Sequence, residues 1–155
     1  MMVVPAIVDT DNGLALSESH AILKYLAQKF DVAEEWYPRK DLAKQAKVNE
    51  FMDFHHLSIR KCAYLAFHIL FAPVLKKGDP TFNKEWTYRQ VRASLRNFQD
   101  IYLKDSQFVG GDQPCIGDLI AIYDVAMLEV LEFDYSKFPK IVKWMEEMRK
   151  IDAVR

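Results

Sequence analysis

Little in this sequence offers ready-made chemistry. It has two cysteines, Cys62 and Cys115. They fall on separate predicted elements with no CxxC or His/Cys spacing, which argues against a disulfide framework or a zinc site and favours a reducing compartment. No uncharged apolar run approaches the ~20 residues that a bilayer-spanning helix needs. The apolar start, residues 1–8, is short and lacks the basic flank of a signal peptide. Neither sign of charge prevails: 21 Lys and Arg stand against 22 Asp and Glu, for a formal charge of -1. With the two signs intermixed, neither nucleic acid nor an anionic membrane is expected as the main partner, and no membrane insertion is expected.

What is present is an ordinary globular balance. Half of the 155 residues are hydrophobic and 28% are charged, enough for one substantial core with a small appendage. Val3 to Val8 is a β-branched run interrupted by Pro5. Asp11-Asn12-Gly13 follows as a tight-turn signal, because Asn and Gly tolerate positive φ. Leu14-Ala15-Leu16 completes a hairpin.

Ser17-Glu18-Ser19 then opens a helix, with small hydroxyls suited to capping and Glu18 suited to the positive end of the dipole. Ile22, Leu23, Leu26 and Phe30 recur on one face of it. Trp36-Tyr37-Pro38 marks a linker over residues 32–39. Beyond residue 40 the strand signals disappear. Val48, Phe51, Phe54 or His55, Ile59, Cys62, Leu65 and Ile69 predict one long helix that Pro73 bends or ends. Val91, Leu95, Phe98 and Tyr102 predict another; Leu119, Ile122 and Ala126 a third; Ile141, Trp144 and Met148 a fourth. The expected plan is mostly α, of the α+β class: a hairpin-plus-helix unit over residues 1–31, then an all-helical domain over residues 40–155.

Two constellations have a structural reading that needs no ligand. Asp118 stands three residues after Cys115, the spacing of a capping box, although a thiol is a poor acceptor. His55 and His56 are adjacent and project about 100° apart on a helix, so they cannot chelate one metal. One of them at least is expected in the core or an interface, and no metal site is expected.

Four local patterns, in order, resemble the glutathione transferase superfamily. They are Val4-Pro5-Ala6-Ile7, Leu16-Ser17-Glu18-Ser19-His20-Ala21-Ile22, Trp36-Tyr37-Pro38, and Pro114-Cys115-Ile116-Gly117-Asp118-Leu119. Within that superfamily His55-His56-Leu57-Ser58-Ile59-Arg60 most resembles the theta class. The resemblance implies a partial thioredoxin-like unit followed by the superfamily's helical C-terminal domain. It implies a cis bond before Pro5 and a glutathione site of which a vestigial or partial set remains. In it the Val4 backbone would pair with the cysteinyl part, Ser19 would hold the γ-glutamyl carboxylate, Glu18 the amino group, and Arg60 would reach the glycine end. Cys115 and Asp118 would be the structural cap.

In the superfamily a strand–helix–strand unit precedes the cis-proline strand and brings the Ser, Tyr or Cys that acts on the thiol. Only Met1, Met2 and Val3 precede Val4 here, and the helical domain is followed by no theta-type extension. No catalytic residue is therefore assigned, and any glutathione binding is expected to be weak. The first strand becomes an open edge, so a further protein chain, in a homo- or hetero-oligomer, is expected to cover the edge running from Val4 to Val8. The expected role is a non-catalytic, transferase-like structural or accessory subunit. The alternative is an active theta-like transferase of which this is a partial or split chain. The expected location is the cytoplasm, with the mitochondrion as the second choice.

Overall fold

Asp9 and Asn12 build the first turn. Asp9 Oδ1 accepts the Asp11 N–H at 3.0 Å, Asn12 Oδ1 accepts the Leu14 N–H at 2.9 Å, and Gly13 supplies φ 73° while its N–H reaches the Asp9 carbonyl at 2.8 Å. Short polar side chains thereby do locally what a longer loop would otherwise have to do. The computed structural model describes residues 4–154. Strand β1 (Ala6–Asp9) pairs antiparallel with β2 (Leu14–Ser17), in the register Ala6↔Ser17 to Asp9↔Leu14. The predicted start of the first strand at Val3 lies outside the described residues, and β1 itself begins only after Pro5. Among the described residues β1 has no second neighbour, so its outer edge is open.

Helix α1 (Ser19–Lys29) returns across the hairpin. Lys29 ties it down: its Nζ lies 2.5 Å from Asp9 Oδ2 and 2.7 Å from Asp11 Oδ2, and the Tyr25 hydroxyl also donates to Asp9. The Lys29 ammonium, then the Tyr25 hydroxyl, hold the Asp9 carboxyl down to about 2, because each favours the charged form. Ile22 and Ala27 are buried beneath the helix. Phe30, expected on that buried face, is 67% exposed. It caps the C-terminus of α1 with its N–H on the Leu26 carbonyl, one residue beyond the helix, where the 3.6-residue period no longer sets direction.

The predicted long helix is interrupted well before Pro73. Helix α2 (Leu42–Leu57) starts on Asp41, whose side chain accepts the Lys44 N–H, and ends at Ser58. The chain bends there, with the N–H groups of Ser58 and Arg60 both on the His55 carbonyl, and resumes as α3 (Lys61–Ala66). Pro73 does not end the run. It sits in the first turn of the short α4 (Ala72–Leu75), preceded by a wider π-helical turn over Phe67–Phe71. A proline has no N–H and its ring crowds the carbonyl four residues back, which a widened turn relieves. Helices α5 (Lys84–Asn97), α6 (Ile116–Ala126) and α7 (Pro139–Met148) complete the bundle. A further π turn, Phe98–Tyr102, extends α5, so Tyr102 of the predicted stripe lies beyond the α-helix proper.

The core belongs to the helical domain. Phe51, Ile59, Cys62, Leu65, Leu95, Phe98, Ile122 and Trp144 share one cluster, with the Phe98 ring edge-on to Trp144 at 4.9 Å. The stretch Leu42–Leu75 is long and apolar enough to cross a bilayer by composition alone. Its Phe51, Met52, Ile59 and Leu65 are fully buried in protein, while Leu57, Val74 and Leu75 are exposed. A smaller cluster of Ala27, Tyr37, Val48, Met52, Cys115 and Ile116 joins α1 and the linker to this bundle. The linker is pinned: Arg39 holds Glu34, Asp31 and the Val32 carbonyl, and the Ile116 N–H donates to the Trp36 carbonyl at 2.9 Å.

Candidate functional site

The site is built around the start of α1. The Val4–Pro5 bond is cis and Val4 is 94% exposed, just ahead of β1. Ser17 closes β2, and Glu18 then adopts φ 74° as the N-cap of α1 without offering a side-chain hydrogen bond. The expected capping by small hydroxyls is therefore not what the structure has. Among the described residues no side chain caps the first turn, which carries the positive end of the helix dipole. Such an end suits a carboxylate. A non-glycine residue at positive φ is strained, and strain held beside an open helix end is the kind that functional sites retain.

Arg60 is exposed at the bend between α2 and α3 rather than on a helix face. Its charge falls on His20, the second residue of α1, as do those of Lys24 and His56. Burial first, then those neighbours together with His55, hold the His20 imidazole down to about 4. The His20 ring lies 5.8 Å from that of His56, centroid to centroid. Glu18, Ser19 and His20 are consecutive at the start of α1.

His20 and Asp124 were not singled out from the sequence. His20 Nε2 lies 3.2 Å from His55 Nδ1, and His55 Nε2 lies 2.9 Å from Asp124 Oδ2. His55 is fully buried, as one of the two adjacent histidines was expected to be, while His56 is exposed. Despite that approach the two atoms are not aligned for a hydrogen bond, and neither has a hydrogen-bond partner among the described residues. The chain His20–His55–Asp124 crosses α1, α2 and α6, so no local spacing in the sequence announces it.

Cys115 and Asp118 lie elsewhere, at the start of α6, and the capping box is formed. Asp118 Oδ2 accepts the Cys115 N–H at 2.9 Å, and the Cys115 thiol donates to the same oxygen at 3.2 Å. The sulfur, a poor acceptor, therefore serves partly as a donor. Asp118 Oδ1 also accepts from the Val109 N–H and from Trp144 Nε1, each at 2.9 Å. Burial pushes this carboxyl above its usual range against four donors that favour the anion. Cys62 and Cys115 are both free and buried, and burial pushes both thiols up, so neither supplies a ready thiolate. No group of three or more metal-ligating side chains occurs among the described residues.

The glutathione S-transferase C-terminal domain family matches residues 65–152 of this chain. The chain belongs to the glutathione S-transferase family. Its helical bundle is that family's C-terminal domain, as the four sequence patterns implied. Glutathione S-transferase T2 of Arabidopsis thaliana is 37% identical over 95% of the chain, which corresponds to 26% of that protein. Glutathione S-transferase T1 of the same plant is 35% identical over 95% of the chain and 62% of its own length. The crystal structure of human glutathione transferase theta-2, a complex with glutathione and an unknown ligand, superposes with a TM-score of 0.81 at 26% identity, covering 94% of this chain and 59% of that one. This chain therefore has theta-class relatives and spans less than two thirds of the length of each of these.

Proposed function

We propose that this chain retains the anchoring half of a glutathione site and acts as a non-catalytic, transferase-like subunit within an assembly. The observation that carries the reading is the open N-terminus of α1. It presents Ser19 and the strained Glu18 at the end of a hairpin whose first strand follows the cis Val4–Pro5 bond. In this reading the Ser19 hydroxyl and first-turn N–H groups bind the γ-glutamyl carboxylate, and Glu18 its ammonium. The backbone at Val4 pairs with the cysteinyl amide, and Arg60 receives the glycine carboxylate. A theta-class relative solved with glutathione supports the choice of ligand.

Anchoring is not activation. Lowering the thiol pKa requires a hydroxyl, a thiol or a cation placed at the sulfur. Cys62 and Cys115 are buried in the helical domain, and Ser19 is committed to the carboxylate end. A separate chain or segment is left to supply that group. The purified chain is expected to conjugate glutathione to a standard aryl halide no faster than the uncatalysed reaction; a clear enzymatic rate would overturn the non-catalytic reading.

The same partner would cover the β1 edge from Val4 to Val8 and an apolar cleft between α1, the linker and α6. That cleft, about 310 Å³, is lined by Leu23, Leu26, Phe30, Trp36 and Leu119 among others. An open strand edge together with an apolar hollow along α1 favours a strand with an amphipathic helix as the occupant. Ile22, expected on this uncovered face, is already buried by the chain itself. Light scattering should find an oligomer or a hetero-complex, and a stable monomer would contradict this. The second reading, a piece of an active theta-like transferase, is favoured by the 62% span of the Arabidopsis T1 relative. It predicts that adding the remaining segment restores conjugation. Two reduced, buried thiols fit a cytoplasmic setting.

A further inference from the structure

Asn12 and Gly13 form the tip of the hairpin, and both are exposed. An asparagine followed by a glycine carries a reaction of its own. The glycine's backbone nitrogen can attack the side-chain carbonyl carbon of the asparagine, because no Cβ on the glycine obstructs the approach. At Gly13 nothing stands within 4 Å of the place a Cβ would take. The Gly13 N–Cγ bond forms, the Asn12 Cγ–Nδ2 bond breaks, and Nδ2 leaves as ammonia with the proton given up by Gly13. One water then opens the cyclic imide at either carbonyl. The first opening leaves an aspartate. The second leaves an isoaspartyl linkage, whose main chain runs through the side-chain carbons and is one atom longer.

In the folded turn every reacting group is held. The Gly13 N–H, on the attacking nitrogen, donates to the Asp9 carbonyl at 2.8 Å. Asn12 Oδ1 accepts the Leu14 N–H at 2.9 Å, and Asn12 Nδ2 donates to the Tyr25 hydroxyl at 3.1 Å. Tyr25 is fixed in turn, because its hydroxyl donates to Asp9. A side-chain amide pinned on both its oxygen and its nitrogen cannot bring its carbon onto the Gly13 nitrogen until these bonds open. The other three asparagines precede residues with side chains, Glu50, Lys84 and Phe98. Asn49 and Asn97 also lie inside helices, and Asn83 is the cap of α5. We propose that Asn12–Gly13 is a site of spontaneous deamidation gated by opening of the β1–β2 turn, with the Tyr25 hydroxyl as the latch on the Asn12 amide.

Neither product fits the turn. A carboxylate only accepts, so it loses its bond to a hydroxyl whose proton already goes to Asp9. An isoaspartyl linkage adds a main-chain atom between Asp9 and Leu14, which the hairpin pairs directly.

Incubation of the full chain at neutral pH, followed by peptide mass mapping, is expected to show Asn12 converting before Asn49, Asn83 or Asn97. Aspartate and isoaspartate should appear together. In guanidinium chloride the conversion should be at least roughly 10-fold faster, since the open turn is a minor state of the native chain. Tyr25→Phe should speed the native reaction roughly 3–10-fold, the weight of one hydrogen bond. Hydrogen exchange at the Gly13 and Leu14 amides of the unaltered chain reads the same opening without any variant. Its protection should match the ratio of the unfolded to the native conversion rate. Equal rates in the folded and unfolded chain overturn the gate, as do protected amides beside unslowed conversion. Another asparagine converting first, or an Asn12 that stays intact in the unfolded chain, overturns the site. A folded Tyr25→Phe chain that converts at the unaltered rate overturns the latch.

Discussion

Trp144 Nε1 donates to Asp118 Oδ1 at 2.9 Å inside the helical domain, so the residue that caps α6 also bolts α7 to it. The same carboxylate takes the N–H groups of Val109 and Cys115. Asp118→Ala strands three buried donors at once. Leaving each unsatisfied costs roughly 1–3 kcal/mol before relaxation. We expect a loss of about 3–5 kcal/mol by urea denaturation, and a loss below ~1 kcal/mol would show that the network contributes little.

Gly117, in the first turn of α6, lies against the core. A Cβ built there would sit 2.9 Å from the Phe51 ring. That ring is fully buried and packs on Phe98 at 5.1 Å, so it has nowhere to move. Gly117→Ala gains helix propensity but overpacks, and the second effect should prevail by roughly 1–3 kcal/mol. Thermal unfolding checks the sign: a raised midpoint would mean that the ring yields.

Glu18 holds φ 74° with no side-chain cap hydrogen bond to reward it. Glu18→Gly should therefore stabilise the fold by about 0.5–1 kcal/mol while weakening S-methylglutathione binding several-fold. Chemical denaturation and titration calorimetry on the same sample read both effects. A variant that gains stability without losing affinity would remove Glu18 from the site.

The His20 imidazole, held at about 4 in the folded chain by burial and by its cationic neighbours, makes stability depend on pH. Below the ordinary histidine value of ~6.5 the unfolded chain takes up a proton that the folded chain refuses. Stability should thus be constant above pH ~6.5 and fall between there and about 4. The side chain is half-exposed, so solvent screening reduces the full linkage to about 1 kcal/mol. His20→Gln should flatten that limb in acid denaturation series, and an unchanged limb would assign it to other groups.

Cys62 and Cys115 are buried, and burial pushes both thiols up. A thiol-specific reagent should label neither in the native chain and both after unfolding. The native rate is expected to be at least about 100-fold slower. Fast labelling of one cysteine would restore a candidate nucleophile.

Much of this architecture was legible because the signals are local. The turn marked by Asp11-Asn12-Gly13 is closed by the neighbouring side chains of Asp9 and Asn12, and Cys115 with Asp118 forms its cap across three residues. The break at Ser58 was not legible: no proline or glycine marks it, and Ile59, 0% exposed, continues the apolar stripe across the bend. Phe30 fits the period of α1 but stands one residue past its end. The His20–His55–Asp124 chain joins residues 35 apart in sequence at one link and crosses three helices, so only the fold assembles it.

The central claim is that glutathione is anchored here and not activated. Its most direct test is the thiol pKa of glutathione bound to the purified chain, followed by thiolate absorbance in the ultraviolet. The account predicts binding with the thiol near its ordinary value of about 8.5, and weaker binding for Ser19→Ala. A bound thiol titrating one unit or more below that value would mean that this chain supplies the activating group itself, and would contradict the claim.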